Sequence, residues 1–150
     1  MIAADGTVKV LEYNCRFGDP ETQPIMMRLQ SDLIDLCMAA LAGELDKTTS
    51  EWDGRAALGV VMAAGGYPDA YHQGAAITGL PEHEADDAKV FHAGTKKLGD
   101  TIVTAGGRVL CACALGATIQ EAQSNAYKLA NGIRWENVYY RTDIGFKAIN

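Results

Sequence analysis

Apolar positions at Val8, Val10, Leu11 and Tyr13 are interspersed among the polar residues from Thr7 to Asn14. Val8, Val10 and Glu12 fall on one parity, Leu11 and Tyr13 on the other. The first parity changes from apolar to polar along the segment, as in a strand that leaves a core to present a site, here preceded by an Asp5-Gly6 turn. Phe17 to Pro24 reads as loop or a broken first turn, since Gly18 and Pro20 both interrupt regular structure. Leu33, Ile34, Leu36, Cys37, Ala40 and Leu41 then follow helical spacing as far as Gly43, with Ser31 as the predicted N-cap. Residues 44–54 are polar and carry no period. They mark a boundary, dividing the chain into 1–50 and 51–150.

The second part opens with an apolar run, Ala56 to Ala64, that suits a buried strand and stops at Gly65-Gly66-Tyr67-Pro68. Lys89 to Ala93 and Thr101 to Thr104 are short strand candidates. Ala105-Gly106-Gly107 reads as a tight turn joining Thr101–Thr104 to a strand over Arg108–Leu115 in a hairpin. Thr118-Ile119-Gln120-Glu121 matches a capping box, and Ala122, Ala126, Leu129 and Ala130 continue an amphipathic helix to Gly132. Tyr139 to Gly145 is strand or loop. The pattern is α+β. One strand and one helix cannot bury both apolar faces alone. The first part must therefore dock on the second or need residues preceding Met1.

At 150 residues and 16.0 kDa, with 48% hydrophobic and 21% charged positions, the chain can bury a real core. A net charge of −6 argues against a general nucleic-acid or anionic-membrane surface. No apolar run reaches the ~18–20 residues of a membrane span. Met1 to Gly6 has neither the basic nor the apolar region of a signal peptide. The expectation is a cytoplasmic protein. Cys15, Cys37, Cys111 and Cys113 lack zinc-ribbon or disulfide-scaffold spacing, and the last two suit a strand's buried face.

The candidate chemistry lies where the first strand ends. Glu12, Asn14 and Arg16 stand at alternate positions, so on a strand they share a face about 6.5–7 Å apart. Two oxygen donors and a cation suit Mg²⁺ shared with a phosphorylated substrate; a solvated strand end is the plainer reading. Other candidates are weaker. Gly94 to Asp100 has the two glycines of a Walker loop, but Asp100 stands where lysine is required. The glycine pairs at 65–66 and 106–107 suit turns, or a close approach to a ligand phosphate. His92 and Lys96 read as surface residues, and Arg141 with Asp143 as a structural ion pair. Nothing supports a ligand role for His72 or His83.

The string VLEYNCRFGDPETQP closely resembles the end of the ATP-grasp region in the glycinamide ribonucleotide synthetase family. The resemblance continues in order through LGVVMAAGGYP, KVFHAGTK, GGRVLCACALG, EAQSNAY and YYRTDIGFKAI. It implies the C-terminal edge of an ATP-grasp domain (1–50), followed by a small mixed β-sheet and helix domain (51–150) that closes over the substrates. It further implies a ligase of purine biosynthesis that joins glycine to 5-phosphoribosylamine through a glycyl phosphate. ATP would be the co-substrate and Mg²⁺ or Mn²⁺ the metal. Glu12 and Asn14 match the family's metal ligands. Arg16 matches the arginine facing the transferring phosphate or the acceptor carboxylate. Lys96 and Arg108 are weaker candidates for anion contacts, and Asp19 and Glu21 shape the loop. The nucleotide-gripping segments and N-terminal substrate domain are not recognisable, so the resemblance implies a missing N-terminal part and an inactive isolated chain. Two rivals stand beside this reading: another ATP-grasp carboxylate–amine ligase, and a binding module that kept the fold without the chemistry.

Overall fold

The computed structural model describes residue 2, residues 4–83 and residues 85–149. The expectation of a leaderless N-terminus involves Met1 and Ala3, which lie outside the described residues. A three-stranded antiparallel sheet forms the centre, built from β1 (Ala56–Ala63), β2 (Ala88–His92) and β5 (Arg108–Gly116). β5 lies in the middle, between β1 and β2. A separate hairpin pairs β3 (Thr95–Leu98) with β4 (Thr101–Thr104).

The two faces of the sheet have different covers. Leu58, Val60 and Met62 of β1 join Leu110, Ala112 and Ala114 of β5 beneath helix α3 (Ile119–Gly132). Ala122, Ala126 and Ala130 line the buried stripe of α3 at helical spacing, and their short side chains let the helix lie close to the strands. Ile77, Ile133 and Trp135 complete this core. Each fully buried side chain the size of Val60, Met62 or Leu110 contributes about 1.5–3 kcal/mol. The opposite parity of β1 and β5 carries Gly59, Cys111 and Cys113. That face lies beneath α1 (Thr22–Arg28), which packs against both strands. A Cβ at Gly59 would stand 2.9 Å from Cys111 Sγ and 3.3 Å from Pro24 Cγ. The absent side chain is what admits the helix.

α1 begins two residues before Pro24, inside the stretch expected to be loop. Proline is tolerated there because amides of the first turn have no partner within a helix. α2 (Leu33–Ala42) is capped one residue later than expected: Asp32 Oδ1, not Ser31, accepts from Ile34 N at 2.7 Å. Gly43 closes it in the left-handed conformation. Ser31 Oγ accepts instead from Glu51 N, beside a bridge between Leu29 and Trp52. Residues 44–54 thus return the chain to α1, through a short 3-10 turn over Leu45–Lys47.

Two expected elements are not formed. Thr7 to Asn14 is no strand: Val8 makes an isolated bridge to Ile2, and Val10, Leu11 and Tyr13 are exposed. A strand needs a ladder partner and a surface to cover its apolar side, and the described residues offer this segment neither. The expected hairpin of Thr101–Thr104 with Arg108–Leu115 is also replaced. β4 pairs back to β3 across the two-residue Gly99-Asp100 loop, where Gly99 takes φ +59°. The apparent Walker glycines are therefore hairpin positions. Thr118 caps α3 by accepting from Glu121 N, and the Glu121 carboxylate accepts from Ala117 N rather than from the cap residue's own amide. The tail contributes a bridge from Tyr139 to Ala63 and a last short helix, α4 (Phe146–Ile149), which the pattern did not foretell.

Candidate functional site

The segment before α1 is held by a compact turn. Thr22 N and Thr22 Oγ1 both donate to Gly18 O, at 3.1 and 2.6 Å. Glu21 Oε1 accepts from Gly18 N at 2.8 Å. The Glu21 side chain folds so close that a Cβ on Gly18 would overlap it. Asp19, at the tip, reaches across to β5, where its Oδ2 lies 2.9 Å from an Arg108 guanidinium nitrogen.

Arg16 lies two residues upstream of this turn. Its guanidinium donates to Phe17 O at 3.1 Å, and its amide donates to Asn14 O. Glu12, Asn14 and Arg16 are all exposed on irregular chain. The strand that would have set them on one face is absent, so their convergence rests on the resemblance and not on the fold described. Among the described residues no group of three or more His, Cys, Asp or Glu side chains could hold a metal. The Glu12 carboxylate and the Asn14 amide are nevertheless hard oxygen donors on open chain. Their chemistry fits a Mg²⁺ ion that takes one or two protein ligands and completes its shell with water and substrate phosphate.

Beside the turn, on the α1 side of the sheet, lies an apolar groove of about 260 Å³ bordered by Pro20, Tyr67, Tyr139, Tyr140, Arg108 and Arg141. Both arginines already face carboxylates. Arg141 meets Asp143 through two bonds of 2.7 and 2.8 Å, the ion pair expected from sequence, and this holds the Asp143 carboxyl below the usual range. Arg108 faces Asp19. A dianionic phosphate entering here would meet those two carboxylates as well as the two guanidinium groups. The groove is an electrically balanced surface and not an open anion hole.

The remaining candidates are dispersed. Lys96 is exposed on the β3–β4 hairpin, outside the sheet that carries Arg108. His92 Nδ1 lies 3.1 Å from Thr95 Oγ1 at the surface. The glycine pairs are filled by protein: a Cβ on Gly107 would strike the Tyr67 ring, and one on Gly65 would strike Asn137. Cys111 and Cys113 are buried, and burial pushes both thiols up to about 12. The partner of Asp19 escaped sequence reasoning. No local signal could have joined a loop residue to Arg108, because only the packing of α1 on the sheet brings them together. The tyrosines around the groove carried no signal for the same reason.

Residues 57–147 match the family described as "Phosphoribosylglycinamide synthetase, C domain". The chain belongs to that family. Curated relatives extend the match beyond those residues. The "Phosphoribosylamine--glycine ligase" of Vibrio vulnificus (strain YJ016) is 61% identical over 149 residues, covering 99% of this chain and 35% of the relative. The protein of that name from Yersinia pestis is 61% identical over 150 residues, with the same coverage. A crystal structure of phosphoribosylamine–glycine ligase from Thermotoga maritima superposes with a TM-score of 0.73 at 38% identity, covering 93% of this chain and 34% of that one. The chain thus spans about a third of the length of the relatives it matches. Its mixed α/β architecture agrees with this C domain. No helix among the described residues is long and apolar enough to cross a membrane.

Proposed function

We propose that this chain supplies the C-terminal portion of an ATP-dependent ligase that joins glycine to 5-phosphoribosylamine in purine biosynthesis. One observation carries the reading: identity of 61% to proteins named phosphoribosylamine–glycine ligase, sustained over 99% of the chain. In this reading residues 1–50 are the edge of an ATP-grasp domain in the cytoplasmic enzyme, and residues 51–150 close over the substrates.

The reaction divides into two displacements. A glycine carboxylate oxygen bonds to the γ-phosphorus of ATP and ADP departs, leaving glycyl phosphate. The amine nitrogen of phosphoribosylamine then bonds to the carbonyl carbon, gives up a proton to solvent, and expels inorganic phosphate. A free carboxylate is a poor acyl donor, and phosphorylation turns its oxygen into a good leaving group. Such transfers depend chiefly on positioning and on neutralising charge. Arg16 would face the transferring phosphate or the glycine carboxylate through its planar array of donors. Glu12 and Asn14 would hold Mg²⁺ or Mn²⁺, which when bound supplies charge neutralisation at the phosphates. Lys96 would add cationic surface for an anion.

A chimaera tests this. The matching 149 residues of the Vibrio vulnificus ligase are replaced by this chain, and ADP release is followed with glycine and phosphoribosylamine. Activity is expected to require both substrates, and Glu12→Ala is expected to lower kcat/KM about a hundredfold or more. Activity that survives Glu12→Ala would remove that residue from the site. An inactive chimaera that is folded would favour the binding-module reading instead.

A further inference from the structure

The other ion pairs described, Lys47–Glu44, Arg55–Asp53 and Arg141–Asp143, join residues two or three apart. Asp19–Arg108 is different in kind, since it ties the turn before α1 to the central strand of the sheet. We propose that Arg108 is a positioning residue, which acts through Asp19 to fix the Gly18–Thr22 turn and so the place where Arg16 presents its guanidinium.

The turn's construction makes this effective. Three hydrogen bonds close it internally, between Gly18, Glu21 and Thr22. The Glu21 side chain fills the space beside Gly18. The turn therefore moves as one piece. Its downstream end is anchored because it runs directly into α1, which lies on β1 and β5. A body held at one end can still rock; a second anchor at its tip removes that freedom. Asp19 is that tip, and Arg108 opens β5, where it pairs with Ala63 of β1 and its carbonyl accepts from Gly94 N at 2.9 Å, so the guanidinium is mounted on backbone held from two sides. Phe17 alone separates the turn from Arg16, whose own guanidinium bonds only to the adjoining Phe17 carbonyl among the bonds described. Rocking of the turn would pass directly to Arg16. Both members of the pair are about half exposed. Such a pair adds little to overall stability, so its effect lies in orientation. Misplacing a catalytic group by about an ångström can cost up to a hundredfold in rate.

The role assigned to Arg16 rests on the ligase reading above; the strut itself does not, and the experiment has two arms. In the chimaeric enzyme Asp19→Asn and Arg108→Gln are each expected to lower kcat about two- to fivefold, as loss of an exposed ion pair allows, while the KM for glycine changes less than about twofold. Thermal midpoints should stay near the parent's. The double variant should be no slower than either single one, as when two residues serve one contact, and Arg108→Lys should recover part of the loss. Losses that multiply in the double variant, or single variants with the parental kcat, overturn the proposal in favour of independent roles. The second arm uses this 150-residue chain itself. Amide exchange at Gly18 and Thr22 should quicken about two- to fivefold in Asp19→Asn and in Arg108→Gln alike, as loss of an exposed ion pair would give. Exchange along α3 should not change. Unaltered exchange at Gly18 and Thr22 overturns the strut whatever the chimaera does. An inactive parental chimaera overturns the ligase reading while this arm still decides the strut.

Discussion

Cys111 and Cys113 alternate along β5 with Leu110, Ala112 and Ala114, and that alternation separates two environments. The alanines and leucine face α3, whereas the thiols face the side that α1 covers. Removal from water disfavours the thiolate, which pushes both groups up to about 12 from an ordinary value of 9.0. The folded chain therefore keeps two protons that the unfolded chain would release. Their contribution to stability is complete below about pH 9 and disappears as the pH rises toward 12. Cys15 and Cys37 are exposed. Ellman's reagent at pH 8 should accordingly modify two thiols rapidly and the other two only when the protein unfolds. A third fast thiol would contradict the burial of Cys111 and Cys113.

At the scale of elements, α1 rests where Gly59 leaves room for Pro24 and Cys111. Gly59→Ala forces those neighbours apart and should destabilise the fold by about 1–3 kcal/mol, seen as a thermal midpoint several degrees lower. An unchanged midpoint would show that α1 does not press on β1 there. β1, β2, β5 and α3 were legible in the sequence because each carries its own signal. The apolar run of Ala56–Ala64 ends at a Gly-Gly-Tyr-Pro breaker, and Thr118 with Glu121 announces a helix start. Pairing was not legible. Gly106-Gly107 and Gly99-Asp100 look alike as turns, and what decides between them is that both long edges of β5 are claimed by β1 and β2. The strand over Thr7–Asn14 failed for a related reason: Val8 and Val10 record a face prepared for burial, and the described residues hold nothing that covers it. The candidate site followed the same division. Glu12, Asn14 and Arg16 were expected from spacing and resemblance, of which only the resemblance still supports them, and the Arg141–Asp143 pair was read from its separation of two. Arg108 as the partner of Asp19 needed the packing of α1.

At the scale of the whole molecule, contacts cross the polar stretch at 44–54. α1 precedes that stretch, yet it covers one face of the sheet that follows. The segment of residues 4–17 is exposed throughout, and on α2 Ile34, Met38 and Leu41 stand open at helical spacing. Two truncations should separate these roles. Removal of residues 1–16 takes away little buried surface and should leave the thermal midpoint within about 2 °C. Removal of residues 1–31 strips α1 from the sheet, and should lower the midpoint much further while opening Cys111 and Cys113 to the thiol reagent. Equal midpoints for the two truncations would mean that α1 contributes nothing to the second part.

The placing of β5 also sets a timetable for synthesis. β1 and β2 flank β5 and do not pair with each other, although both precede it in the chain. As the polypeptide leaves the ribosome, β1 has no partner in this sheet until residues 108–116 have followed it out. α1 emerges earlier still, at seven residues too short to persist alone. The whole three-layer stack thus waits on one late strand. A nascent chain arrested between residues 64 and 107 would hold an apolar strand and an unseated helix in the open, a natural substrate for a chaperone.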